Sequence, residues 1–258
     1  MSALLEVDDL RVRFGALEAV KGVSFAMGRE RLGLVGASGA GKSLIGRALL
    51  RLLPAGAATS ARRIVFDGID IAKAEARQMR ALRGRRIGLV LQDPRFSLNP
   101  VLSIGEQIAE CFRIHRGASR LAARAMTRES LAAVRLDDPR VYGLYPHQVS
   151  GGMGQRAMIA MMLAGDPDLL IADEPTSALD ASAALQVLTV LDDLVRRRGM
   201  GLIFISHDLD LVQGFCDRVI VLESGAIVER CAAADLATSR HPYTRRLLAA
   251  RLRLEDAP

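Results

Sequence analysis

Three features of this chain predict an α/β fold with an antiparallel β portion and an inserted α-helical portion. Short apolar runs alternate with helical patterns along most of its length. One run, Arg31–Val35, feeds a glycine-rich segment, Gly36-Ala37-Ser38-Gly39-Ala40-Gly41-Lys42-Ser43, which opens a helical pattern. Strand, loop and helix in that order set free N–H groups at a helix start, where they can hold an anion such as phosphate. Between two later strand candidates, residues 101–164 carry only helical patterns, as an inserted subdomain would.

The elements follow in order. Leu4–Val12 and Val23–Met27 have an antiparallel look, with a turn near Gly15. Arg31–Val35 is a short buried strand. Lys42 to Leu53 has apolar residues at helical spacing, and Pro54 is expected to stop it. Ile87–Leu91 is the next strand. In the helical stretch, Ile104, Ile108 and Cys111 share a face, and helical runs follow around Leu121–Val134 and Gly152–Leu163. Strand character returns at Leu169–Asp173 and Leu202–Ser206. Val219–Leu222 and Ala226–Glu229 flank Glu223-Ser224-Gly225, a hairpin-like turn. No internal repeat or low-complexity linker interrupts the pattern.

Bulk properties narrow the class. The 258 residues, half hydrophobic and a quarter charged, suffice for one large core or a core with a subsidiary domain. No apolar stretch reaches the ~18 residues that span a bilayer. The acidic opening Met1-Ser2-Ala3-Leu4-Leu5-Glu6-Val7-Asp8-Asp9 is unlike a signal peptide, so a cytoplasmic protein is expected. Cys111, Cys216 and Cys231 are scattered, without CxxC pairing, and read as unpaired residues of a reducing compartment. The net charge of +6 comes from arginines spread over the whole chain, which fits solvated helix faces and not a nucleic-acid patch.

Chemistry concentrates in a few segments. Gly36, Gly39 and Gly41 let consecutive N–H groups converge on one anion, and the helix behind them adds its N-terminal dipole. Lys42 supplies a point charge for β- and γ-phosphates, and Ser43 a hydroxyl for Mg²⁺; Ala37, Ser38 and Ala40 complete the cradle. Leu169-Leu170-Ile171-Ala172-Asp173-Glu174-Pro175 is an apolar strand ending in two acids. Asp173 is placed to hold Mg²⁺, and Glu174 to act as general base on the attacking water. Val149-Ser150-Gly151-Gly152-Met153-Gly154-Gln155 is a second small-residue turn opening a helix.

Together these segments resemble the ABC-transporter ATPases over essentially the whole chain. The resemblance implies a RecA-type P-loop core with an antiparallel β subdomain over residues 1–92 and 165–258, and a helical signature subdomain over 93–164. It implies ATP and Mg²⁺ as cofactors and two ATPase domains paired head to tail, as a homodimer or a heterodimer with a second ABC ATPase. Ser150, Gly151, Gly152 and Gln155 of one subunit would then face the nucleotide held by Lys42 of its partner. Gln92 matches the Q-loop glutamine that touches Mg²⁺ or water, His207 the switch histidine at the γ-phosphate, and Asp180 the D-loop carboxylate. Phe14 sits where the family places an aromatic residue against the adenine, with a core role as the rival reading.

Two further stretches are similar to the peptide and nickel importer subgroup. These are Gln92-Asp93-Pro94-Arg95-Phe96-Ser97-Leu98-Asn99-Pro100, and Tyr145-Pro146-His147-Gln148 with His241-Pro242-Tyr243-Thr244. Many oligopeptide and dipeptide members carry a cysteine-containing C-terminal extension, whereas this sequence ends at Pro258, closer in length to nickel or metal-chelate members. The expectation is the ATPase subunit of an importer of peptides, nickel or metal chelates. It would sit on the cytoplasmic face of the inner membrane, bound to two permease subunits and served indirectly by an extracytoplasmic substrate-binding protein, with no nucleic acid. Alternatives are an exporter subunit or a soluble ABC ATPase of repair or translation; the sequence has neither the heptad run nor the second glycine-rich phosphate loop that the latter would carry.

Overall fold

The computed structural model describes residues 3–255, with side chains to residue 250. In chain order the elements are β1 (Leu5–Phe14), β2 (Leu17–Met27), β3 (Arg31–Val35), α1 (Lys42–Leu49), β4 (Ala57–Ser60), β5 (Arg63–Phe66), β6 (Ile69–Asp70) and α2 (Ala76–Leu82). Then come β7 (Ile87–Val90), α3 (Ile104–Arg116), α4 (Arg120–Ala133), α5 (Gly151–Leu163), β8 (Leu169–Asp173) and α6 (Ala181–Arg198). The chain closes with β9 (Gly201–Ile205), α7 (Leu209–Phe215), β10 (Arg218–Glu223), β11 (Ala226–Ala232) and α8 (Pro242–Glu255). Two compact units divide it: Met1–Met79 with Gly201–Pro258, and Arg80–Met200.

In the first unit, β2, β1, β5 and β6 form an antiparallel sheet in that order, with β4 also pairing with β1. Buried and half-exposed residues alternate along β1, as in a sheet with one face on the core. A second ladder runs β11-β10-β3-β9, with β10, β3 and β9 parallel and β10–β11 an antiparallel hairpin. All five residues of β9 and four of five in β3 are buried, which explains their continuous apolar runs. The β10–β11 turn has Ser224 at φ 48° and Gly225 at φ 86°, the two positive values a tight two-residue hairpin needs.

In the second unit, β7 and β8 pair in parallel, and α3, α4 and α6 pack around α5. Nine residues of α5 are buried on every side, marking it as the unit's central helix. On α3 the buried stripe is Ile104, Ile108 and Phe112, with Cys111 only half buried. Ser103 and Glu106 form a reciprocal capping box at its start, and Gly117 (φ 63°) ends it.

The helix after the glycine-rich loop is shorter than expected: α1 ends at Leu49, well before Pro54. Arg51 takes the left-handed conformation (φ 51°), and its N–H bonds Ala48 O at 2.9 Å while Leu52 N–H bonds Arg47 O at 2.9 Å. That Schellman closure satisfies the last carbonyls without a glycine. The Arg51 guanidinium then holds the chain there, donating to Ala74 O and Ala72 O at 2.7 Å and to Ile71 O. Strands β4 to β6 and helices α2, α6, α7 and α8 lie where the sequence reading assigned no element.

Candidate functional site

The glycine-rich loop leaves the carboxyl end of β3, between β10 and β9, the edge at which parallel ladders bind ligands. Its shape is enforced from outside. At Gly36 (φ 151°) a Cβ would lie 2.2 Å from Leu222 O, and at Gly41 (φ 96°) 2.8 Å from Ala19 O. Gly225, at the hairpin tip, donates its N–H to Ala40 O at 3.2 Å. Gly41 is the N-cap of α1 (φ 96°) and supplies no side-chain cap, and the start of this helix faces the loop, the end at which a helix attracts an anion. Lys42 is only 5 % exposed, and its ammonium donates to Gly36 O at 2.8 Å and Ala37 O at 3.0 Å. The cation is thus held inside the loop it serves. Ser43 follows on the first turn of α1.

Two more expected residues belong to this unit. β9 runs parallel to β3, with Ile205 in register with Leu34, so His207 emerges from the edge that carries the loop. It is exposed, while its neighbour Ser206 is buried and accepts from Asp208 N at 3.0 Å. Phe14 ends β1 half buried and outside the core, which weakens the rival core role.

The second unit gathers the remaining residues into two groups. Val90 of β7 is in register with Ala172 of β8, so Gln92 and the pair Asp173–Glu174 leave the same edge. Asp173 is 4 % exposed, whereas Gln92 is exposed and Glu174 half buried. Glu174 has φ 49°, a left-handed conformation uncommon for a non-glycine residue. It turns the carboxylate out of the strand's alternation, and Ser177 Oγ donates back to Glu174 O at 3.1 Å. Such local strain clusters at functional positions.

The other group is formed by two helix starts. Ser150 caps α5, its Oγ accepting from Met153 N at 3.3 Å, and Asp180 caps α6, accepting from Ala183 N at 2.9 Å. A Cβ at Gly152 would lie 2.8 Å from Ala183 Cβ, so the glycine lets the two starts approach. Ser150 and Gly151 are exposed, with N–H groups of the first turn at the surface. Gln155, expected with the nucleotide-binding residues, is instead fully buried, and its Nε2 donates to Leu91 O at 3.1 Å. One turn into α5 its side chain points to the unit's interior, where it holds the backbone just before Gln92.

The segment after Gln92 is rigidly built. Asp93 accepts from Arg95 N at 2.9 Å, capping a short 3₁₀ turn over Pro94–Phe96, and pairs with the Arg95 guanidinium at 2.7 Å. The hydrogen bond from Arg95 holds the Asp93 carboxyl below its ordinary value. Phe96 is left 87 % exposed. Buried Gln107 anchors the far end, accepting from Asn99 N at 2.7 Å and donating to Leu102 O at 3.0 Å. The sequence reading passed over Gln107, whose only signal was a polar residue on the apolar face of α3.

Among the described residues no three His, Cys, Asp or Glu side chains cluster as a metal site. The oxygen donors proposed for Mg²⁺ nonetheless fit its chemistry, because this ion keeps waters and substrate phosphates and takes one or two protein oxygens. No helix among the described residues is long and apolar enough to cross a membrane.

Comparison with known proteins agrees with this geometry. The family model described as ABC transporter matches residues 20–177. A probable peptide ABC transporter ATP-binding protein of Sinorhizobium fredii is 47% identical over 253 residues, 95% of this chain and 76% of that protein. A dipeptide transport ATP-binding protein of Haemophilus influenzae is 42% identical over 253 residues, covering 95% and 77%. In structure, the dimeric ATP-binding cassette MJ0796 bound to ADP and Pi superposes with a TM-score of 0.77 at 26% identity, over 89% of this chain and 98% of that one. The chain therefore belongs to the ABC transporter family, as an ATP-binding subunit whose ATPase activity is coupled to transport.

Proposed function

We propose that this ATPase drives an importer of peptides, working with membrane permease subunits on the cytoplasmic face of the inner membrane. The observation that carries the cargo class is the similarity, over 95% of the chain, to two ATP-binding proteins of peptide and dipeptide transport. Nickel or a metal chelate is the second reading, carried by the Q-loop and His241–Thr244 resemblance.

The residue roles are part of the proposal. Amides of Gly36 to Ser43 and the Lys42 ammonium hold the ATP phosphates, with Phe14 against the adenine. Ser43, Gln92 and Asp173 would supply protein oxygens to Mg²⁺, whose charge would offset that of the ATP phosphates. Glu174 takes a proton from water as its oxygen bonds the γ-phosphorus and the β–γ bridging bond breaks, releasing ADP and phosphate. His207 donates to a γ-phosphate oxygen. Ser150, Gly151 and Gly152 present a helix start to the ATP of a second ATPase, a copy of this chain or a related one, and Asp180 lies beside them. Gln155 supports the backbone ahead of Gln92. We retain the functional division into a nucleotide core (1–92, 165–258) and a helical subdomain (93–164), with Asp93–Pro100 as the contact to the permease.

The test is uptake of a labelled dipeptide and of labelled nickel in cells lacking the protein. Loss of dipeptide uptake, restored by wild type and not by Lys42→Ala, is the expected result. Loss of nickel uptake alone moves the assignment to the second reading, and no change in either refutes both.

A further inference from the structure

The His241-Pro242-Tyr243-Thr244 segment enters the family resemblance as a subgroup marker, and the catalytic scheme leaves it without a task. In the first unit it reaches the phosphate loop. Ala37 N–H donates to Tyr243 Oη at 3.1 Å, across 206 residues of sequence. Tyr243 is 9 % exposed, and its ring lies under the Arg246 guanidinium at 5.6 Å, which pairs in turn with Glu223 at 3.1 Å.

The seat of this tyrosine is built with unusual care. Glu229 on β11 accepts from Ser239 Oγ at 2.7 Å and from the Oγ1 of Thr244, a fully buried residue. Ser239 Oγ accepts from His241 N at 3.1 Å, and His241 Nδ1 from Tyr243 N at 3.3 Å. One carboxylate and a chain of local bonds thus set the entry of α8 and aim the phenol at the loop.

The bond falls on the Gly36–Ala37 peptide, whose carbonyl, Gly36 O, accepts from Lys42 Nζ at 2.8 Å. Ala37 O accepts from Lys42 Nζ at 3.0 Å and from Ala40 N at 3.1 Å. With its N–H taken by Tyr243, the Ala37 residue is held on both sides.

We infer that Tyr243 is a positioning residue for ATP, holding the phosphate loop in its binding shape before the nucleotide arrives. The inference rests on reading Gly36–Ser43 as the phosphate cradle. Loop order established in advance is not charged against binding, so its loss weakens affinity. Once ATP is bound the phosphates order the loop themselves, and the chemical step is unaffected.

Tyr243→Phe keeps the ring in its seat and removes only the acceptor. In the purified full chain, the Kd and KM for ATP are expected to rise about three- to tenfold, the loss of one neutral hydrogen bond. At saturating ATP, kcat should stay within about twofold. A kcat loss at unchanged KM would mean a smaller active fraction and a merely structural tyrosine; unchanged Kd and KM would also overturn the inference. Lys42→Ala runs beside it. If that variant binds ATP as wild type does, the cradle reading fails, and the role of Tyr243 with it; if it loses binding while Tyr243→Phe does not change, only the tyrosine assignment falls.

Discussion

At Glu174 the backbone and the chemistry make separable demands. The left-handed φ of 49° belongs to the turn after β8, and the carboxylate to the general-base role proposed for it. Glu174→Gln retains size and hydrogen bonding and removes only the base. ATP binding should persist while turnover falls by about 10²–10⁴-fold, and a nucleotide-trapped dimer should appear on size exclusion. Turnover near the wild-type rate would remove the base assignment. The residue spacing alone exposed this acid, since an apolar strand ending in Asp173-Glu174 is visible in one dimension. Gly165 was not legible: a Cβ there would lie 1.7 Å from Gly84 O, a constraint set by a segment some eighty residues away in sequence. Cys216 likewise gains meaning only from its surroundings, where burial pushes its thiol up to about 12.

Among the elements, the helix starts carry two tasks at once. Asp180 closes the first turn of α6 and is also the carboxylate proposed to signal between paired ATPases. Two substitutions separate the tasks. Asp180→Asn keeps an N-cap of similar strength, so melting should change little while cooperativity of hydrolysis drops; Asp180→Ala should in addition cost about 0.5–2 kcal/mol of stability by thermal or urea unfolding. Cooperative hydrolysis at the wild-type level in the Asn variant would make Asp180 a cap and nothing more. Helix ends were the least legible feature. α1 and α4 both close on a left-handed arginine, Arg51 (φ 51°) and Arg135 (φ 59°), where a glycine would have announced the stop. After α4, Leu136 N bonds Leu131 O at 2.9 Å, the same closure as after α1. The Arg135 carbonyl then accepts from buried Arg156 of α5 at 2.8 Å, a tertiary reason for the arrangement.

Across the whole molecule, proton binding links one histidine to global stability. His115 lies half buried on α3, where burial first and the Arg85 charge second hold its pKa below the ordinary value. The unfolded chain therefore binds the proton more readily than the folded one. Stability is complete above the ordinary histidine value of about 6.5 and declines as pH falls through it, levelling only below the folded value. Melting curves of wild type and His115→Gln at about pH 7.5 and about pH 5.5 should show wild type losing more on acidification. An equal loss in both would place the acid sensitivity elsewhere. Chain-wide patterning made the α/β class readable: buried parallel strands such as β3, β8 and β9 are continuous apolar runs, and the glycine-rich phosphate loop lies in one contiguous segment. Short β4 and β5, paired with the distant β1, and two-residue β6, paired with β5, carried no such signal.

The sequence by itself determined the family, the phosphate loop, the acid pair and the helix that opens at Ser150, because each is a contiguous segment whose chemistry depends on neighbours in the chain. Only the tertiary structure decided that Gln155 turns inward to Leu91 O and that Tyr243 reaches Ala37 N. Those bonds join residues 64 and 206 positions apart, and a hydrogen bond is fixed by distance in space, which no local pattern records.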